Sequence, residues 1–139
     1  MLVQLTYWSR TGSALTDKDI EMLQTLVDQN NKTHSITGCL IRLDDYFLQV
    51  IEGDDKAVNR LYNNIVRDPR HTDITLVTYM QITRRKYADW MMIVDAEQAK
   101  NLPLMLSYAG TAAPFSFDGM SAATIDMMLN EFYRAAAKR

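Results

Sequence analysis

The stretch Thr37-Gly38-Cys39-Leu40-Ile41-Arg42-Leu43-Asp44-Asp45-Tyr46-Phe47-Leu48-Gln49-Val50-Ile51 decides the fold. Its two apolar runs, Thr37 to Leu43 and Tyr46 to Ile51, have the length and composition of strands. Asp44-Asp45 between them suits a tight turn, though less strongly than Asp-Gly would. The pair therefore reads as a β-hairpin. Side chains alternate across a strand, so Phe47, Gln49 and Ile51 share one face. Gln49 is then a lone amide between two large apolar neighbours. A buried amide without partners costs about 1–3 kcal/mol. Something polar should meet it: a neighbouring strand or water, another side chain, or a ligand with fixed donors and acceptors.

Outward from the hairpin, Val3, Leu5 and Tyr7 alternate with Gln4, Thr6 and Trp8 as a first strand. Thr11-Gly12-Ser13 breaks it. Thr16 and Asp19 resemble a capping box ahead of Ile20, Leu23, Leu26 and Val27 at helical spacing, a helix that should end near Asn30-Asn31. Downstream, Glu52-Gly53-Asp54-Asp55 reads as an acidic break before a second helix with Val58, Leu61, Tyr62 and Ile65 on one stripe. Asp68-Pro69 stops that helix, because proline disfavours helical geometry in the residue before it. Ile74 to Gln81 and Trp90 to Val94 complete the strands. Gln98 to Tyr108 and Ser121 to Lys138 read as C-terminal helices, the second with Ile125, Met128, Leu129, Phe132 and Ala136 on one stripe. Between them, Pro114 to Gly119 forms a loop with aromatic anchors.

This order is an α+β, ferredoxin-like βαββαββ sandwich. Two helices cover one face of the sheet, and the two C-terminal helices are expected on the opposite face. No internal repeat or second domain interrupts it: residues 1–95 are the core and residues 96–139 a helical extension of the same unit.

The 139 residues carry 15 basic and 17 acidic side chains, a formal charge of -2 that supplies no basic field for nucleic acid and no polybasic patch for a membrane. A single cysteine, Cys39, excludes an internal disulfide and a multi-cysteine metal site. No run approaches the ~18 apolar residues of a membrane span, and no signal-peptide pattern opens the chain. A cytoplasmic protein is the expectation. Glycine-rich phosphate loops and the G-x-S-x-G elbow are absent. His34 and His71 lack Cys or His neighbours at ligand spacing, so no metal site is expected. A Cys–His nucleophile pair is permitted by spacing, but the strand position of Cys39 argues for a small buried hydrophobe.

Asp68-Pro69-Arg70-His71 is either a capped, solvated turn or a place where Arg70 and His71 face a phosphate or ribose, which the arginine fork suits. Trp90 and Met92 share one face of the last strand, as plain core or as an N–H donor and an adaptable thioether beside a pocket. Tyr7 shares a face with Val3 and Leu5, and its hydroxyl needs a partner if that face is buried. The polar-tipped Tyr7, Gln49 and Trp90, with the helix-end Asn30 and Asn31, could converge on one pocket.

These residues lie in motifs that resemble the BLUF family of flavin-using blue-light sensors. The motifs are Leu5-Thr6-Tyr7-Trp8-Ser9; Asn31 with Ile36-Thr37-Gly38; Phe47-Leu48-Gln49-Val50-Ile51-Glu52-Gly53; Asp68-Pro69-Arg70-His71; and Arg85-Lys86-Tyr87-Ala88-Asp89-Trp90-Met91-Met92. Five motifs in order, from Leu5 to about Val94, form a specific pattern. The tail is similar, more loosely, to short stand-alone members of the PixD type. Ser35 stands where many members have Gly, and Tyr87 replaces a common Phe.

The resemblance implies FAD between the two helices, with FMN as the alternative, and the flavin ring over the sheet. It implies Tyr7, Asn31 and Gln49 beside the flavin, Asn30 next to them, and Asp68, Arg70 and His71 near the ribityl and phosphate end. It further implies that excited flavin takes an electron and then a proton from Tyr7. Gln49 relays that proton and exchanges its hydrogen bonds by rotation or tautomerisation. Trp90 and Met92 then relay the change to the C-terminal helices. The expected output is association, through a response-regulator-like partner or homo-oligomerisation, rather than enzymatic activity. Two other readings compete: a flavin oxidoreductase, which would need a hydride-donor site, and a cofactor-free interaction module on the same fold.

Overall fold

The computed structural model describes residues 1–11, 18, 35–43, 46–69, 71–93 and 116–137. Strands β1 (Leu2–Thr11), β2 (Thr37–Leu43), β3 (Tyr46–Asp54), β4 (His71–Gln81) and β5 (Trp90–Ile93) form one sheet in the order β4-β1-β3-β2-β5. Helix α1 (Asp55–Arg67) follows β3, and helix α2 (Ala122–Ala137) closes the described chain. The first four strands are antiparallel to their neighbours, and β5 adds parallel to β2. Leu43 pairs with Tyr46, so the hairpin closes across two residues as its sequence predicts.

The sheet is buried on both sides, and the two cores have different owners. On one face Val3, Leu5, Tyr7, Ile36 and Ile51 pack with Val58 of α1, joined by Leu61, Tyr62 and Ile65. On the other face Trp8, Cys39, Ile41, Leu48 and Val50 pack with Ile125, Met128, Leu129 and Phe132 of α2. The C-terminal stripe therefore covers the sheet face that α1 leaves bare, as expected. Burying those four α2 side chains stabilises the docked helix by about 6–12 kcal/mol before the entropy of ordering it.

The helix ends follow local chemistry. Asp54 caps α1, its carboxylate accepting from the Lys56 N–H at 3.3 Å. At the other end the Asp68 N–H donates to the Ile65 carbonyl at 3.0 Å, and Pro69 follows. Ser121 Oγ accepts from the Thr124 N–H at 3.1 Å just ahead of α2.

Two expectations are corrected. The acidic break expected at Glu52 is strand: β3 runs on to Asp54, pairing Glu52 with Gln4 and Gly53 with Val3. Also, β4 begins at His71 rather than Ile74, because His71 pairs with Thr11 of β1. The helices expected over 16–30 and 98–108, and the turn at Asp44-Asp45, lie outside the described residues.

Gly38 and Ser35 show why particular residues occupy tight places. Gly38 has φ +140, and a Cβ there would sit 1.9 Å from the Val50 carbonyl oxygen. Ser35 has φ 54, in the left-handed region that glycine enters most readily.

Candidate functional site

The site is built on the central strands. Tyr7 of β1 lies directly opposite Gln49 of β3, and Gln49 lies opposite Leu40 of β2. Tyr7 and Gln49 are each 3% exposed, on the face that α1 covers. The Tyr7 hydroxyl donates to Gln49 Oε1, so the lone amide of the third strand meets the lone phenol of the first. The Tyr62 ring of α1 lies 5.8 Å from that of Tyr7, inclined at 57°. Burial pushes the Tyr7 phenol well above the usual tyrosine range, and Tyr62 and the Asp68 carboxylate push it further. Tyr7 is therefore a neutral, proton-bearing donor held by packing.

Two residues along, on the same face, the cross-strand row contains Leu5, Ile51, Gly38 and Trp90. Trp90 packs against the same core as Tyr7, and its indole Nε1 is buried with no hydrogen-bond partner among the described residues. Met92 stands opposite Leu40, so the backbone row containing Tyr7 and Gln49 ends at Met92.

The sequence reading missed one supporting residue. Glu52 is 0% exposed, and its carboxylate accepts from Gln4 Nε2 at 2.7 Å, the Tyr87 N–H at 2.8 Å and the Lys86 N–H at 2.9 Å. Arg85 donates to the Glu52 carbonyl at 2.9 Å and to Thr37 Oγ1 at 2.8 Å. These bonds tie residues 85–87, which lead into β5, to the strand that carries Gln49. The motif containing Arg85, Lys86 and Tyr87 was visible, but their common anchor was not.

The structure thus brings Tyr7, Gln49 and Trp90 to one buried face and sets Asp68 within electrostatic reach of Tyr7. Met92 and His71 are placed by their backbones alone, Met92 beside Leu40 and His71 beside Thr11. Asn30, Asn31 and Arg70 lie outside the described residues. Cys39 is buried, and burial followed by the Glu52 charge pushes its thiol up to about 12. That makes it a poor nucleophile at neutral pH. Among the described residues no group of three or more His, Cys, Asp or Glu side chains could hold a metal ion, and no helix is long and apolar enough to cross a membrane.

The α+β sheet, with α1 covering one face and α2 the other, has counterparts among known proteins. Residues 2–93 match the model of the BLUF family, described as sensors of blue-light using FAD. The photoactivated adenylate cyclase subunit beta of Euglena gracilis is 34% identical over 98 residues, which are 70% of this chain and 11% of that protein. The blue light- and temperature-regulated antirepressor BluF of Escherichia coli is 32% identical over 74 residues, 53% of this chain and 18% of its own. Among solved structures, the BLUF protein BlrB in its dark state superposes with a TM-score of 0.70 at 28% identity, covering 99% of this chain and 96% of that one. This chain belongs to the BLUF family of flavin-based blue-light sensors.

The residues present fit a flavin. Trp90 Nε1 is a buried donor in need of an acceptor, and the Gln49 amide still offers donors while its oxygen accepts from Tyr7. The carbonyls and ring nitrogens of an isoalloxazine suit both.

Proposed function

We propose that this chain senses blue light through a rearrangement of the Tyr7–Gln49 pair beside bound FAD. The observation that carries the reading is the buried hydrogen bond from the Tyr7 hydroxyl to Gln49 Oε1. Tyr7, Gln49, Asn30 and Asn31 would hold the ring, and Asp68, Arg70 and His71 the ribityl and phosphate end. When bound, the flavin supplies blue-light absorption and, once excited, an oxidant able to draw an electron from a phenol.

The chain's own residues do the rest. Tyr7 stays protonated in the dark because burial disfavours its phenolate. Once oxidised, it loses its proton along the existing hydrogen bond to Gln49 Oε1. Gln49 then exchanges donor and acceptor ends, by rotation or tautomerisation, and the exchanged pattern outlives the return of the electron and the proton to Tyr7. With flavin bound, the exchanged Gln49 amide would present the ring with a different hydrogen bond, and the flavin would supply the readout, an absorption moved to the red without net reduction. Both residues sit on central strands, which fixes the dark geometry.

Output begins at β5, whose Met92 ends the backbone row of Tyr7 and Gln49 and whose Trp90 packs against the same core as Tyr7. From β5 the change passes to the C-terminal extension, and from there to a signalling partner of response-regulator type or to a homo-oligomer in the cytoplasm. The FAD named in the family description favours that cofactor over FMN.

The test is absorption of the purified, flavin-loaded protein in darkness and after blue light, with the released cofactor separated by chromatography. A flavin band that moves to the red and recovers in the dark, with FAD released, is expected. Bound flavin that never shifts would overturn the mechanism, and FMN as the released cofactor would correct its identity.

A further inference from the structure

Tyr7 and Trp8 are consecutive on β1 and point to opposite faces: Tyr7 joins the core beneath α1, and Trp8 the core beneath α2. In the ladder Trp8 pairs with Leu48, the neighbour of Gln49, so both members of the Tyr7–Gln49 pair adjoin residues of the α2 core. Trp8 is 8% exposed and stacks on Phe117 at 6.0 Å and 28°. Its edge meets Tyr46 at 5.7 Å, and Tyr46 meets Phe117 edge-on at 5.2 Å. Polar bonds close the same cluster. Arg10 donates to the Tyr46 hydroxyl at 2.9 Å, the Tyr46 hydroxyl donates to Ser116 Oγ at 3.1 Å, and Ser116 Oγ also accepts from the Asp118 N–H at 3.1 Å. Three rings and this chain of bonds therefore clamp Ser116 and Phe117, the residues that lead into α2.

A second observation concerns freedom to move. The β1–β4 ladder is irregular between Thr6 and Tyr7 and again between Trp8 and Arg10. The pair Tyr7-Trp8 thus sits between two register shifts, while its pairing with β3 is continuous. Such irregularities locally release a strand and re-aim its side chains. A change in the Tyr7–Gln49 hydrogen bond can therefore turn this dipeptide without shearing the whole of β1.

We propose that Trp8 is a positioning residue that carries the dark or light state of the Tyr7–Gln49 pair through the sheet to Phe117 and so to α2. The inference rests on the photochemical reading of Tyr7 and Gln49, and it adds a route through β1 distinct from that through β5. Rings in contact transmit a tilt because a packed core repacks in discrete arrangements rather than flowing.

The test is hydrogen exchange of the α2 amides, in darkness and under blue light, in flavin-loaded protein whose absorption is recorded in parallel. In the unmodified protein, exchange over residues 125–132 should differ between the two states. Trp8→Leu should keep the flavin red shift and lose more than half of that light-minus-dark difference. Phe117→Leu, which leaves β1 intact, should do the same, and Trp8→Phe should restore more than half of what Trp8→Leu loses. Met92→Ala, which interrupts the route through β5 instead, should lose less than half of that difference. A purely structural role for Trp8 would change the dark exchange level, not the difference. The proposal is overturned if Trp8→Leu, or Phe117→Leu should Trp8→Leu not fold, retains half or more of the difference with its red shift intact. It is equally overturned if the unmodified protein shifts red while α2 exchanges identically in both states. Absence of any red shift in the unmodified protein would instead remove the Tyr7–Gln49 photochemistry on which it stands.

Discussion

Replacing Glu52 by alanine should cost this protein much of its stability, although Glu52 lies outside the Tyr7–Gln49 pair. Its carboxylate is 0% exposed and satisfies Gln4 Nε2 and the N–H groups of Lys86 and Tyr87. Each donor left unpaired in a buried site costs about 1–3 kcal/mol, so the three together cost about 3–9 kcal/mol gross. Removing a buried carboxylate returns part of this, because its desolvation no longer opposes folding. The exposed Lys86 also allows water to reach its own N–H. The net effect should be about 3 kcal/mol, roughly a fifth to three-fifths of the stability of a typical domain. Glu52→Gln keeps one acceptor oxygen for the two N–H groups, and Gln4 can turn its own amide to present an oxygen. Its cost should be about 1 kcal/mol. Urea unfolding of flavin-loaded protein in darkness, followed by far-ultraviolet circular dichroism, measures both. At ordinary urea slopes the alanine variant's midpoint should fall by about 1–3 M and the glutamine variant's by under ~1 M. An alanine variant within 1 kcal/mol of the unmodified protein, or a glutamine variant as damaged as the alanine one, would refute the anchoring argument.

Gly38→Ala should be more damaging than its size suggests, by about 3–5 kcal/mol, because strain at positive φ adds to a backbone clash at 1.9 Å; thermal melting checks it. Ser35→Gly should raise stability by about 0.5–1 kcal/mol, because Ser35 sits at φ 54; chemical denaturation reads the sign. The buried Tyr7, Tyr87 and Cys39 all have pKa values raised above their unfolded ones, Tyr87 mainly by burial. Their contribution is fully present below the unfolded values of 9.0 for cysteine and 10.0 for tyrosine, and it declines as pH rises past them, by up to about 1.4 kcal/mol per pH unit per group. Melting temperatures should therefore fall above about pH 9–10, less steeply in Tyr87→Phe, and an unchanged slope in that variant would contradict the assignment.

Local pattern carried most of the fold into view. The Thr37–Leu43 and Tyr46–Ile51 strands are short apolar runs on either side of a turn, and the Ile125, Met128, Leu129 and Phe132 stripe has helical spacing, so each element was legible within its own segment. The stripe also pointed to the bare side of the sheet. Gln49 and Tyr7 were legible singly, as polar groups stranded on apolar faces. That they meet is a fact of register between strands far apart in the chain, and residue periodicity does not encode it.

Glu52 was misread for the same reason. Glu52-Gly53-Asp54-Asp55 has the composition of a break, and the N–H groups that make Glu52 strand-compatible come from Lys86 and Tyr87. Trp8 alternates with Tyr7 alongside Gln4 and Thr6, which looks like a polar face; α2 and Phe117 bury it from the far end of the chain.

The central claim is that Tyr7 drives the response through Gln49. The most direct measurement is the light-minus-dark absorption difference of Tyr7→Phe beside the unmodified protein, with equal bound flavin in both. The account predicts a reversible red shift in the unmodified protein and none in the variant. A full, recovering red shift in Tyr7→Phe would contradict it.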